Sequence, residues 1–291
     1  MARHRGIPRP AERIIGAARA GLAVASAAAV LIATGCTTGT AGPPAASSAV
    51  PSERPATSTT TPATTGGPVH TTDPGSDHGS DHGSTGATAD RRDRGEASRA
   101  LIRATRAGDL DGVRRAIADG ADLETRSGDH RRTALIIATR ANRVEIARAL
   151  LAAGADPDAQ DAIDDSAFLY AGAEGLDEIL RLTLRHGADV GSTNRYGGTA
   201  LIPAAEHAHL STMRILLDAG VPVDHVNNLG WTALHETIVL GDGSARHVRA
   251  VRMLLAAGAD PDLPDGHGTP PRRLAEQRGF TAIVDELDRH R

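Results

Sequence analysis

Lysine is absent from this chain of 291 residues, cysteine occurs once, and aromatic residues amount to 2%. A single thiol cannot close a disulfide within the chain, and zinc or iron–sulfur sites need several ligands close together, so Cys36 serves neither. With two Phe, two Tyr and one Trp, a core must be assembled from Ala, Leu, Ile and Val, which favours small-residue helices packed closely. Arg carries every fixed positive side-chain charge, a bias that fits a GC-rich bacterial genome rather than a functional demand. The formal net charge of −4 argues against nucleic acid as a partner. Catalytic patterns are missing too: the chain has no Gly-x-Ser-x-Gly elbow, no Walker-type phosphate loop and no His-Glu-x-x-His. His207 and His209 stand two apart, and on a helix that spacing points them to different faces. The expectation is a protein that is no enzyme, with no cofactor, metal or small-molecule substrate.

What the chain does contain begins with a basic head. Arg3, Arg5, Arg9, Arg13 and Arg19 stand against the single acid Glu12, and the uncharged run AGLAVASAAAVLIATG follows from Ala20 to Gly35. That run is short for a transmembrane span, which needs about 18 to 20 residues, and suits the middle of an export signal. Ala33, Thr34 and Gly35 then lead into Cys36. This resembles the bacterial lipoprotein signal, in which small residues precede a cysteine that is acylated and becomes the mature N-terminus; Ala33 stands where that family most often has Leu. The resemblance implies a signal peptide over 1–35, lipidation of Cys36 and anchoring to the outer face of the cell membrane, because two acyl chains hold far better than one. An ordinary secretory signal ending at a cysteine, or an uncleaved anchor, also fits the residues, and each exports the bulk of the chain. Export is a further argument against nucleic acid.

Residues 36–96 read as the lipidated N-terminus and a linker rich in Thr, Ser, Pro and Gly, with almost no large apolar side chain. Such a segment buries too little surface to offset the entropy of ordering and is expected to be disordered. A flexible chain of about 60 residues spans on the order of 45 Å. The run GSDHGSDHGS sets His78 and His82 beside Asp77 and Asp81, with His70 nearby; it reads as a metal-collecting tract or as a duplication in a solvated linker, and the linker can also be glycosylated.

A repeat follows. The segments DGADLE, AGADPD, HGADVG, AGVPVD and AGADPD place Gly120, Gly154, Gly187, Gly220 and Gly258 at spacings of 34, 33, 33 and 38. Ahead of the last four stand TALIIA, SAFLYA, TALIPA and TALHET. These resemble the ankyrin repeat, whose motif runs Gly-x-Thr-Pro-Leu-His-x-Ala and whose second helix ends in Leu-Leu-x-x-Gly-Ala-Asp. The resemblance covers 97–291 and implies an all-α solenoid of about six helix-turn-helix units with short β-turn fingers: 97–129, 130–162, 163–195, 196–228, 229–266 and 267–291. Thr133, Ser166, Thr199 and Thr232 precede the first helices as N-caps. Leu135, Leu201 and Leu234 begin the buried faces, and the Leu pairs at 150/151, 216/217 and 254/255 recur in phase. The end units carry extra charge, as caps do. His235 alone retains the motif histidine and reads as a structural hydrogen-bonder; Pro203 falls in a first turn, where its cost is reduced. GDGSA at 241–245 reads as a tolerated insertion or a partner-contact loop.

Ankyrin-like arrays bind partners through finger tips and the exposed face of the first helix. Carried across, the register gives Asp129, His130, Arg132 and Arg140 in unit two, and Ala162, Ile163, Asp165, Ala173 and Glu174 in unit three. Unit four contributes Arg195, Tyr196, Glu206 and His207, and unit five Asn228, Leu229, Trp231 and Val239. Trp231 and Tyr196 favour an interface in so aromatic-poor a chain; the competing reading packs Trp231 on its neighbouring finger for stability. Arg126, Arg131, Arg132, Arg140 and Arg143 cluster before Asp156, Asp158, Asp161, Asp164 and Asp165; the polarity either orients a partner or is satisfied between fingers. The implied protein is a monomer that binds another envelope or secreted protein, as scaffold or accessory factor, or as inhibitor or immunity-like factor against a toxin or hydrolase. Metal or cell-wall-polymer capture by the linker is the alternative of a different class.

Overall fold

The computed structural model describes residues 84–291, with side chains from Arg92 onward. Twelve helices pair in sequence: α1 (Ser84–Ala107) with α2 (Leu110–Ala118), α3 (Ala134–Arg140) with α4 (Val144–Ala152), and α5 (Ala167–Ala173) with α6 (Asp177–Arg185). The same pattern continues with α7 (Leu201–Glu206) and α8 (Leu210–Asp218), α9 (Ala233–Val239) and α10 (Ala245–Ala256), and α11 (Pro271–Gln277) and α12 (Thr281–Arg289). First helices stack on first helices and second on second, so the described residues form an all-helical solenoid without a strand. An isolated antiparallel bridge, Ser127 to Arg132, marks the finger of unit two. Cys36, the signal residues and the His70, His78 and His82 tract lie outside the described residues, within which no helix is long and apolar enough to cross a membrane.

The core follows the leucine phase. Leu135, Leu150, Leu151, Leu201, Leu216, Leu234 and Leu254 are sealed from solvent, and Ala residues at 134, 138, 147, 167, 171 and 204 let the helices approach closely. Each buried Leu contributes about 1.5–3 kcal/mol of transfer free energy, repeated along the stack. All five glycines of the 33-residue period take positive φ, from 79° at Gly120 to 96° at Gly154, and end their helices.

Four expectations need correction. The linker was expected to reach 96, but α1 starts at Ser84: once Leu101, Ile102 and Thr105 pack against the stack, extending the helix upstream fixes one residue per hydrogen bond and needs no new nucleus. Thr133, Ser166 and Thr232 do accept from the backbone N–H three residues on. Thr199 does not. In the three working caps the N–H four residues on also bonds the cap carbonyl. Pro203 has no such N–H, so Ile202 N bonds the Thr199 carbonyl instead (3.2 Å), the helix starts a residue late at Leu201, and the buried Thr199 hydroxyl has no partner among the described residues.

The insertion after α9 is braced rather than merely tolerated. Asp242 accepts from Ser244 N (2.9 Å) and pairs with His247 Nδ1 (2.6 Å), whose Nε2 meets the Glu206 carbonyl of unit four (2.9 Å). Gly243, at φ +69°, lies so close to Phe280 of unit six that a Cβ would sit 2.4 Å from its ring. Finally, His207 and His209 are not on one helix: they end α7 and begin α8, and their rings lie 5.6 Å apart. Among the described residues no third His, Cys, Asp or Glu joins them as a metal ligand.

Candidate protein-binding face

Four of the fingers, those of units three to six, are each built on one acceptor. The Oδ1 atoms of Asp161, Asn194, Asn227 and Asp265 each accept two backbone N–H groups, two and four residues on, at 2.8–3.2 Å. Backbone bonds then join fingers: Ala162 N to the His130 carbonyl (2.8 Å), Asn228 N to that of Tyr196 (2.9 Å), and Gly266 N to that of Gly230 (3.1 Å). A row of tips thus stands beside the first helices, as a rigid surface rather than independent loops.

On it the expected residues divide. Asp129, His130, His207 and Asn228 are exposed, while Arg132, Arg140, Ile163, Glu174, Arg195, Tyr196, Glu206, Leu229, Trp231 and Val239 are half-buried. Asp165 is buried at 2% exposure and is corrected: standing just before the Ser166 cap, it turns under the face, paired with Arg195 at 3.6 Å. Burial raises its pKa, with Arg195 acting against the rise. Arg132 pairs with the buried Asp161 at 3.3 Å. The Arg and Asp clusters are therefore partly satisfied between fingers, which answers the question of polarity for these two pairs.

Tyr170 was not among the expected residues. It is buried under Arg140, whose guanidinium carbon lies 4.3 Å from the ring centroid, as that of Arg195 lies 4.5 Å from Tyr196. The signal was available in register, since Tyr170 is the variable position of the SAFLYA motif. Trp231 sits in the next finger with its indole Nε1 enclosed and without a partner among the described residues. Glu236, also missed, lies one turn into α9 at 1% exposure, its Oε1 accepting from Asn227 Nδ2 at 2.9 Å. Burial, with Glu206 adding to it, pushes its pKa up to about 8.

One Ser, His and Asp cluster tests the expectation of no catalysis. Ser244 Oγ and Asp242 Oδ1 lie 3.3 and 2.6 Å from the same nitrogen, Nδ1 of His247. A relay needs the nucleophile and the acid on opposite ring nitrogens, and Nε2 is occupied by a backbone carbonyl.

Comparison with known proteins accords with this geometry. A family model for ankyrin repeats in three copies matches residues 81–161 and 168–265. The chain belongs to the ankyrin repeat family. It is 48% identical, with a TM-score of 0.64, to an ankyrin repeat domain from Acinetobacter baumannii AYE, covering 65% of this chain and 96% of that one. The ankyrin repeat protein EF0377 gives 37% identity and a TM-score of 0.64 over 67% of this chain and 98% of its own. The ankyrin repeat domain of Bcl-3, a member of the IkappaB family, gives 27% and 0.60 over 66% and 85%. A curated relative, the ankyrin repeat protein YahD of Escherichia coli (strain K12), is 44% identical over 54 residues, 19% of this chain; the match spans 27% of YahD's own length.

Within the ankyrin register the motif histidine, His235, does structural work. It is buried and closes a capping box: its Nδ1 accepts from Thr232 N at 3.1 Å while its own N–H reaches the Thr232 hydroxyl. Burial lowers its pKa, keeping the ring neutral as an acceptor must be. Ankyrin arrays are in general interaction modules rather than enzymes, and a protein-interaction scaffold is the function this fold supports.

Proposed function

We propose that this ankyrin-repeat protein is exported, anchored to the membrane through lipid on Cys36, and works by binding another envelope or secreted protein on its concave face, as a scaffold or accessory factor. The observation that carries the binding reading is the gathering of aromatic and arginine side chains on one face: Arg140 over Tyr170, Arg195 over Tyr196, and Trp231 one finger further on. Tyr, Trp and Arg dominate interface hot spots, and in a chain with 2% aromatics their concentration here is a departure from composition. Export and anchoring rest on the basic head, the apolar run and the small residues before Cys36.

One experiment tests both parts. Tagged full chain is crosslinked in intact cells, fractionated and captured, comparing the native sequence with Cys36→Ser and with Tyr196→Ala combined with Trp231→Ala. The expected outcome is a membrane-associated native protein carrying a specific envelope partner. Cys36→Ser should leave the membrane fraction, and the aromatic double variant should lose the partner while its thermal unfolding stays close to native. Unchanged membrane association of Cys36→Ser would reject the lipid anchor; equal recovery of partner by the double variant would move the binding site elsewhere.

A further inference from the structure

Arg106 at the end of α1 and Arg140 at the end of α3 hold the same place in successive units, two residues before the positive-φ positions Gly108 and Asn142. In units three and four that place belongs to Ala173 and Glu206, before Gly175 and Ala208. Over the first four units the row of first-helix ends thus changes from basic to apolar to acidic. Arg106 and Arg140, with Arg132, His130, Asp129 and Ile137, line a cleft of about 340 Å³ beside the second finger.

The cations in this cleft are unequally satisfied. Arg132 has Asp161. Arg106 donates only to the neutral Ser127 hydroxyl (2.8 Å), and neither it nor Arg140 has a carboxylate within ion-pair distance among the described residues. The Arg140 Nη1 is enclosed and has no acceptor, although the guanidinium plane is fixed on the Tyr170 ring. A guanidinium held in one orientation, with one donor left without an acceptor and Asp165 acting on it only from beyond ion-pair distance, is prepared for a planar anion.

We propose that this cleft receives an acidic side chain, aspartate or glutamate, from an extended segment of the protein partner. The inference rests on the binding reading above and adds the chemistry of the contact. A carboxylate matches the guanidinium fork and carries a single charge, whereas the rim carboxylate of Asp129 repels a doubly charged phosphate about twice as strongly. Units one and two attract such a segment, and the half-buried Glu206 of unit four disfavours it, so the segment is held at one end of the array.

The test titrates full chain with a fluorescently labelled hexaglutamate peptide, with hexaglutamine and inorganic phosphate as comparisons. Hexaglutamate should bind with an affinity that falls about tenfold in Arg106→Gln and again in Arg140→Gln, and hexaglutamine should not bind. Arg214→Gln, an exposed charge on α8, should change nothing. Absence of hexaglutamate binding, equal binding by the cleft variants, or an equal loss in Arg214→Gln overturns the proposal, as does displacement of the peptide by equimolar phosphate, which would make the cleft a free-anion site. Arg106→Gln alters an exposed side chain, and Arg140→Lys keeps the charge while removing the fork, so the answer survives if Arg140→Gln fails to fold. Hexaglutamate binding without a captured envelope partner would overturn the cellular reading and leave the acid site standing; a captured partner without peptide binding would do the reverse.

Discussion

Glu236 is held on α9 with one carboxylate oxygen bonded to Asn227 and the other without a partner among the described residues, in a setting that favours the neutral acid. A folded-state pKa raised from 4.5 to about 8 means the folded protein retains a proton that the unfolded chain releases. The stability it confers is complete below about 4.5 and is lost as pH rises through about 8. His235 beside it acts oppositely: its lowered pKa favours folding above the unfolded value of 6.5 and disfavours it as pH falls. Glu236→Gln keeps the polar contact to Asn227 and removes the titration. Its stability relative to native should therefore rise steadily from pH 5 to pH 8, by on the order of a few kcal/mol, in urea unfolding at fixed temperature. A difference independent of pH would show that Glu236 titrates as an ordinary carboxylate. The register places this residue at the fifth position of TALHET, where Tyr170 stands in SAFLYA, but burial of that position depends on the neighbouring units. Asp165 escaped for the same reason: an acid in a finger reads as exposed, and only the Arg195 of the next unit shows that it turns inward.

Among the helices, α7 is the one whose start departs from the pattern. The cap at Thr199 was legible as residue type and spacing, but the cap works only if the backbone N–H groups three and four residues on are both present. Pro203 removes the second, the first is diverted to a carbonyl, and a buried hydroxyl is left over. Pro203→Ala should restore both bonds and raise stability by about 1 kcal/mol, less a few tenths from the freer unfolded chain. The cleaner reading is a cycle with Thr199→Val. In the native background that change should cost little, since the hydroxyl bonds nothing; combined with Pro203→Ala it should cost about 1 kcal/mol. Equal costs in both backgrounds would mean that Pro203 does not disable the cap. The other caps, the glycine stops and the leucine phase were all readable, since each depends on contacts within one unit. The start of α1 was not, because Ser84–Glu96 has a linker's composition and gains its helicity from the packed turns that follow.

Along the whole array the units are also tied through acids at the base of the fingers. Glu124 Oε1 accepts from Asp156 N of the next unit (2.9 Å), Asp158 Oδ2 from Asp189 N (2.7 Å), and Asp224 Oδ2 from Asp260 N (3.1 Å). Asp262, last in the series, pairs with Arg291. One rung is missing, and it is missing on both sides: Gly191 stands where the acceptor belongs, and Pro222, which has no N–H, stands where the donor belongs. Removing both partners together leaves no orphaned group, whereas removing one would. The junction of units three and four therefore lacks a link that the neighbouring junctions possess. Burial raises the pKa of Glu124, Asp158 and Asp224 while the accepted N–H opposes it, so each rung couples a partly desolvated carboxylate to the next backbone. Gly191 has no positive φ, and a side chain there meets only Asp189 Oδ1 at 3.3 Å. Building the rung with Gly191→Asp and Pro222→Ala should give a favourable coupling of about 1 kcal/mol in a double-mutant cycle, beyond the sum of the single changes. Hydrogen exchange should then slow on both sides of the junction, in α5 to α8, because in a stack held by nearest-neighbour contacts the weakest interface limits how far opening spreads. Zero coupling would show that the finger acids brace only their own turns and that packing alone joins the units.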